Sequence, residues 1–180
     1  MQIPLLIGLR APMQCGKTTT AEGVKDFMNA NDGVVRIASL AAPLKTGLAH
    51  MGIKKTVVPD LYREAAQTLG TDIVRKAYPD WWVNLARSRY VKETTYKVIL
   101  FDDIRFENEV DLMDETIYLY PHGFPLDDDP RRTHESEDLN STPFSGEITI
   151  TNYWGKQGDT VMEVARVIQN MIERRANEGV

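Results

Sequence analysis

The 180-residue sequence has one cysteine, and no apolar run approaches the roughly 20 residues that a membrane-spanning helix requires. A single cysteine cannot form an intramolecular disulfide, which favours a reducing compartment. The first ten residues lack the basic leader of a secretory signal peptide and enter a strand-like run directly. We therefore expect a cytoplasmic protein that does not associate with a membrane.

Basic tracts are also missing, and the formal net charge is −5. Polymeric nucleic acid usually selects a basic protein face, because much of the affinity comes from neutralising phosphates. A small anionic ligand held in a pocket is the better expectation. The apolar fraction of 42% and the charged fraction of 26% are typical of one globular domain of this length.

Strand-like and helical patterns alternate along the chain. Largely apolar runs predict strands at about 3–9, 34–38, 97–101 and 116–120, and alternation of apolar and polar residues predicts a last strand at 147–151. Helices are predicted at 16–30, 106–113 and 157–175. This alternation predicts an α/β domain with a mainly parallel, five-stranded sheet. Two stretches depart from it: a mainly helical insert at about 41–93, and an irregular segment at about 121–145 that is rich in Pro, Asp, Ser and Arg.

The strongest local pattern is Ala11-Pro12-Met13-Gln14-Cys15-Gly16-Lys17-Thr18, which has the Walker A form with alanine at its first position, where glycine is more usual. A loop between a buried strand and a helix directs backbone N–H groups towards phosphate. Lys17 is expected to reach the β- and γ-phosphates and act in catalysis, and the Thr18 hydroxyl to ligate Mg²⁺. The residues predicted to bind the nucleotide are Ala11, Gln14, Cys15, Gly16, Lys17, Thr18 and Thr19.

The run 98–102 has the Walker B form, a buried strand that ends in a carboxylate. Asp102 is the metal-site candidate that the pattern indicates, and Asp103 is the alternative. Asp103 could instead cap the following helix. Arg105 follows the strand end, where a guanidinium would stabilise a transferred phosphoryl group, so it is a candidate catalytic residue.

Together these patterns resemble the phage-type deoxynucleoside monophosphate kinases. The similar segments occur in order over roughly residues 5–155. They are the Walker A loop, Ala41–Lys45, the helical stretch Arg63–Arg75 with Gln67, Asp80 with Trp82 and Val83, Asp103–Glu109, His134–Glu137 and Asn152.

The resemblance implies a three-layer P-loop fold and the transfer of a phosphoryl group from ATP to a deoxynucleoside monophosphate, with Mg²⁺. The implied substrate-binding residues are Lys45, Arg63, Gln67, Arg75, Trp82 and Arg105. Arg63 and Gln67 are four residues apart and so share one helical face. For Lys45, Arg63 and Arg75 the alternative is a solvated surface charge, and at least one of Trp81 and Trp82 is expected in the core.

The irregular segment contains Arg131-Arg132, and nucleotide kinases close such a lid over the phosphates to bring in an arginine and exclude water. Arg131 is the candidate catalytic residue of this lid, and His134 is not expected to bind metal. A homodimer through the C-terminal helix is an alternative to packing of that helix on the sheet. Rival functions are another small P-loop kinase, such as a dephospho-coenzyme A or shikimate type, and an ATP-binding switch without a small acceptor.

Overall fold

The structure is a computed structural model, and it describes residues 3–90, 92–93, 95–125 and 140–178. Within these residues the chain forms one five-stranded sheet. Its strands are β1 (Leu5–Arg10), β2 (Val35–Ala38), β3 (Val98–Phe101), β4 (Glu115–His122) and β5 (Ile148–Tyr153). The strand order is β2-β3-β1-β4-β5, and all four pairings are parallel. The predicted α/β class with a five-stranded sheet is confirmed, and the sheet is wholly rather than mainly parallel.

The helices within the described residues are α1 (Lys17–Asp32), α2 (Ala42–His50), α3 (Pro59–Gln67), α4 (Trp81–Tyr90), α5 (Glu107–Val110) and α6 (Gln157–Asn177). A π-helical segment, Thr68–Arg75, continues α3. Two predicted boundaries were wrong: α5 is one turn long, and β4 continues through His122, so residues 121–122 belong to the sheet. None of these helices combines the length and apolar character that crossing a bilayer would need.

Apolar side chains cover both faces of the sheet because alternate residues of a strand point in opposite directions. On one face Leu9 packs in a core with Val24 of α1 and with Val164 and Ile168 of α6. On the other face Leu6 packs with residues of α4. Helices on both sides are compatible with a three-layer α/β fold, and α6 packs on the sheet.

The strand order creates a crevice at one end of the sheet. β1 lies between β3 and β4. The chain leaves β1 towards β2 on one side, whereas it leaves β3 towards β4 on the other. Connections that diverge in this way open a crevice beyond the carboxyl ends of the two neighbouring strands, which is where open α/β sheets bind ligands. The 11–18 loop follows β1 and Asp102 follows β3, so both lie at this crevice.

Candidate functional site

A cleft of about 900 Å³ lies at the carboxyl ends of β1 and β3, between the 11–18 loop and the helical insert. Most of the residues that the sequence predicted to bind nucleotide, metal or substrate line this cleft. Those lining it are Gln14, Cys15, Gly16, Lys17, Thr18, Thr19, Lys45, Arg63, Gln67, Arg75, Trp82, Asp102, Asp103 and Arg105. Ala11, the first residue of the loop, was predicted to bind the nucleotide, but it is fully buried and does not line the cleft. Arg131, Arg132 and His134 lie outside the described residues.

The 11–18 loop contains two residues in the left-handed region, Gln14 with φ 65° and Gly16 with φ 72°. Such reversals turn successive backbone N–H groups towards one side and form an anion-binding concavity. Ala11 does not have a positive φ, so alanine is accommodated where glycine is usual. Gly16 begins α1 without a capping side chain, and the first turn has no acidic residue. Residues 16–19 line the cleft, so the positive end of α1 lies there without a side chain of the first turn to neutralise it.

A buried asparagine fixes the middle of this loop. The Asn152 side-chain amide donates to the carbonyl oxygen of Cys15 at 2.8 Å, and the Thr160 hydroxyl donates to Asn152 Oδ1 at 2.9 Å. The second bond orients the amide, so its NH₂ group points at the loop. Asn152 is fully buried at the end of β5. The sequence identified it only through the resemblance, and the structure gives it this anchoring contact.

Thr18 and Asp102 meet across the crevice, with the hydroxyl donating to Asp102 Oδ2 at 3.3 Å. Burial, followed by the negative charge of Asp103, raises the pKa of Asp102, while Lys45 and Lys17 act against the increase. The described residues contain no cluster of three or more His, Cys, Asp or Glu side chains that could hold a metal. One carboxylate and one hydroxyl nevertheless suit Mg²⁺, which takes its other ligands from water and phosphate oxygens.

Asp103 binds residues at the start of the helical insert. It accepts hydrogen bonds from the Ser39 hydroxyl and the backbone N–H of Leu40 (2.9 Å), and it pairs with Lys45 Nζ at 3.1 Å. Burial raises the pKa of Asp103, but Lys45 and the hydrogen-bond donors outweigh it and hold the pKa below its usual value. The interpretation as a cap of α5 is wrong, because Phe106 occupies that position. Of the two aspartates, Asp102 is the one beside Thr18.

Arg75 forms a buried ion pair with Glu109 rather than a solvated surface charge. Its side chain is 11% exposed, and the guanidinium carbon lies 3.8 Å from the centroid of the Phe106 ring. Glu109 also accepts hydrogen bonds from the backbone N–H groups of Arg105 (2.8 Å) and Phe106 (3.2 Å). Burial raises the pKa of the Glu109 carboxyl, and Arg75 partly opposes this. The pair therefore fixes the turn that carries Arg105 at the cleft.

The helical insert forms the opposite wall of the cleft. Arg63 and Gln67 both lie on α3 and share the helical face that their spacing predicted, and this face lines the cleft. Trp82 is buried, and its indole N–H donates to the carbonyl oxygen of Gly70, inside the π-helical segment, at 3.1 Å. Trp81 is 46% exposed, so Trp82 is the core member of the pair.

Two aromatic side chains at the cleft were not anticipated from the sequence. Phe124 follows β4 and Trp154 follows β5, with ring centroids 5.1 Å apart in an edge-to-face arrangement. A Cβ atom placed on Gly16 would lie 3.9 Å from the Phe124 ring, which brings the pair next to the 11–18 loop. Trp154 is 57% exposed. Their positions directly after the carboxyl ends of two parallel strands were the available signal.

The cleft has an excess of positive charge, although the chain is acidic. Its cationic side chains are Lys17, Lys45, Lys55, Arg63, Arg75 and Arg105, against Asp102, Asp103 and Glu109. Lys45 and Arg75 are held by two of these carboxylates. Arg63 and Lys55 make no ion pair within the described part of the chain. An anionic ligand would therefore meet uncompensated charge on the side of the insert.

Comparison with protein-family models found no match, and comparison with the curated proteins found none either.

Proposed function

We propose that the protein is an ATP-dependent kinase of the P-loop class that transfers the γ-phosphoryl group of ATP to a deoxynucleoside monophosphate. One observation carries the proposal. The Thr18 hydroxyl lies 3.3 Å from Asp102, at the mouth of a loop with left-handed Gly16, and a cationic helical wall lies across the same cleft. A hydroxyl, a carboxylate and a phosphate-binding loop in this relation suit a magnesium nucleotide.

On the donor side, the backbone N–H groups of the 11–18 loop and the Lys17 ammonium would bind the β- and γ-phosphates. Thr18 and Asp102 would hold Mg²⁺, which supplies positive charge beside those phosphates. The exposed face of Trp154 offers a stacking surface for the base of ATP. The acidic chain with a cationic cleft agrees with a small phosphorylated ligand rather than a polymer.

On the acceptor side, Arg63 is a half-buried cation at the cleft that makes no ion pair within the described residues. A monophosphate would supply the charge that it lacks, and a planar guanidinium matches phosphate geometry. Gln67, one turn along α3, would contact the base. The choice of a deoxynucleoside monophosphate follows from the sequence resemblance, and the geometry supports an acceptor that carries one phosphate on this wall.

The proposed reaction needs little covalent chemistry from the protein. An oxygen of the acceptor phosphate attacks the γ-phosphorus, the bond from that phosphorus to the β–γ bridging oxygen breaks, and ADP leaves with that electron pair. Lys17 and Arg105 would stabilise the charge on the transferred group. The acceptor is already anionic, so no general base is required. Arg131 is proposed to add positive charge, and it lies outside the described residues.

Removal of the Lys17 ammonium tests this assignment. Lys17→Ala is expected to lower the rate of deoxynucleoside diphosphate formation by at least about 100-fold, because phosphate positioning and charge stabilisation are lost together. Lys25→Ala is the matched control, since Lys25 is exposed on the same helix and does not line the cleft. Product formation would be followed by chromatography, and the fold by circular dichroism. A folded Lys17→Ala protein with wild-type turnover would refute the proposal.

A further inference from the structure

A buried charged cluster lies beside the phosphate-loop strand and outside the cleft. Arg10, the last residue of β1, is fully buried. Its guanidinium crosses β4 near Tyr118, with 5.7 Å from the guanidinium carbon to the ring centroid, and its Nη1 pairs with Glu147 Oε2 at 2.5 Å. Glu147 directly precedes β5. One side chain therefore connects the central strand to the edge strand of the sheet.

The surrounding groups hold this pair in one geometry. The Phe144 ring lies 3.5 Å from the Arg10 guanidinium carbon, and the backbone N–H of Phe144 donates to Glu147 at 2.6 Å. The Tyr118 hydroxyl donates to the carbonyl oxygens of Asn140 (3.1 Å) and Ser141 (2.9 Å). Burial raises the pKa of Tyr118 to about 12, so its hydroxyl remains a donor well into the alkaline range. Residues 140–147 are thereby fixed over this face of the sheet.

The cluster is an unusual way to fill a core. Burial lowers the pKa of Arg10, and the Glu147 carboxylate acts against this decrease. The desolvation of two charges offsets much of their attraction, and apolar residues of similar volume often give equal or greater stability. What a buried, stacked ion pair adds, compared with apolar residues, is a fixed relative position and orientation of its two side chains. It restricts where the end of β1 can lie relative to β5.

The restricted position is the entrance to the 11–18 loop, since Ala11 follows Arg10 directly. The middle of the loop is fixed from the other end of β5, where Asn152 binds the Cys15 carbonyl. Both contacts thus connect the loop to the same edge strand. We propose that Arg10 is a positioning residue, whose pair with Glu147 sets the path of the chain into the phosphate loop and so its affinity for triphosphate. This inference rests on the proposed function.

The test separates positioning from stability by neutralising both partners together. The double variant Arg10→Met/Glu147→Gln removes both charges, so neither is left buried alone, and its thermal midpoint is expected to remain within a few degrees of wild type. Its affinity for MgATP, measured by calorimetry without acceptor, is expected to fall by about 10- to 100-fold, because loss of one charge-assisted hydrogen bond from the loop to phosphate changes affinity by about this factor. The KM for the acceptor should stay within about twofold of wild type, since the insert is untouched.

Arg36→Met/Glu93→Gln is the matched control. This pair (2.9 Å) joins β2 to the chain before β3, at the other edge of the sheet, and does not line the cleft. It should leave MgATP affinity unchanged. Glu147→Asp is a second probe that keeps both charges but withdraws the carboxylate by one methylene group. It should fold and show a smaller loss of MgATP affinity.

Wild-type MgATP affinity in both Glu147→Asp and the double variant would overturn the inference and leave Arg10 with a structural role only. A wild-type protein that binds MgATP but phosphorylates no acceptor would refute the proposed kinase function alone, and the binding series would still decide the role of Arg10. A wild-type protein that binds no nucleotide would overturn both.

Discussion

Loss of the Arg75 guanidinium should lower the free energy of unfolding, because it breaks the ion pair with Glu109. Arg75→Met keeps most of the side-chain volume but leaves Glu109, whose side chain is 5% exposed, without its cationic partner. Breaking a buried ion pair by removing one partner typically costs about 3–5 kcal/mol. For a chain of this length the corresponding fall in Tm is roughly 6–20 °C. This is a large share of the roughly 5–15 kcal/mol by which domains are stable.

The stability lost in Arg75→Met should increase with pH. Burial raises the pKa of Glu109 in the folded state above its ordinary value of 4.5. The stability that this group contributes is therefore fully present below pH 4.5 and is lost as pH rises through the folded pKa. Without Arg75 the folded pKa rises further, because the cation no longer favours the carboxylate. The deficit of Arg75→Met should consequently be larger at pH 8 than at pH 5.

Urea unfolding at the two pH values, followed by circular dichroism, measures both effects. Lys76→Met is the control, because Lys76 forms only an exposed pair with Asp72, worth about 0.5 kcal/mol or less. The double variant Arg75→Met/Glu109→Gln should recover at least half of the lost stability. A deficit below about 1 kcal/mol for Arg75→Met, equal at both pH values, would refute the reasoning.

Further predictions concern helix packing and the metal. Gly23→Ala should destabilise the fold by about 1–3 kcal/mol, because its new Cβ would lie 2.6 Å from Val161 Cγ2. Gly47→Ala, in α2 with no atom within 4 Å of its Cβ, should instead stabilise the fold by about 0.5–1 kcal/mol, because alanine favours the helix. Urea unfolding of both variants measures these changes, and a Gly23→Ala protein more stable than Gly47→Ala would contradict the packing argument. Asp102→Asn should raise the half-saturating Mg²⁺ concentration of the kinase reaction by about tenfold or more, because a charged ligand is lost, and unchanged Mg²⁺ dependence would exclude Asp102 as a ligand.

The order of strands and helices was predictable because β1 and β3 are buried on both faces and appear as continuous apolar runs, whereas the edge strand β5 shows the alternation of a strand with one buried face. The position of the cleft was predictable for a related reason. The Walker A pattern follows β1 and Asp102 follows β3, and the carboxyl ends of adjacent parallel strands lie at one edge. The spacing of Arg63 and Gln67 likewise gave their common helical face, because helical geometry is local.

Long-range pairing was not predictable from a single sequence. Arg75 and Glu109 are 34 residues apart, and the separation of Arg10 and Glu147 is 137. Nothing local distinguishes such side chains from surface charges. The π-helical segment Thr68–Arg75 was also missed. The Trp82 indole donates to the Gly70 carbonyl within it, and such a tertiary contact is not visible in the local pattern.

The central claim is tested most directly by coupled ADP release with ATP and Mg²⁺, across a panel of deoxynucleoside and ribonucleoside monophosphates together with dephospho-coenzyme A and shikimate. We predict ADP formation that requires a deoxynucleoside monophosphate and yields one deoxynucleoside diphosphate for each ADP. Turnover with dephospho-coenzyme A or shikimate alone would contradict the assigned substrate. ATP hydrolysis that no acceptor stimulates would contradict the kinase assignment itself and favour an ATP-binding switch.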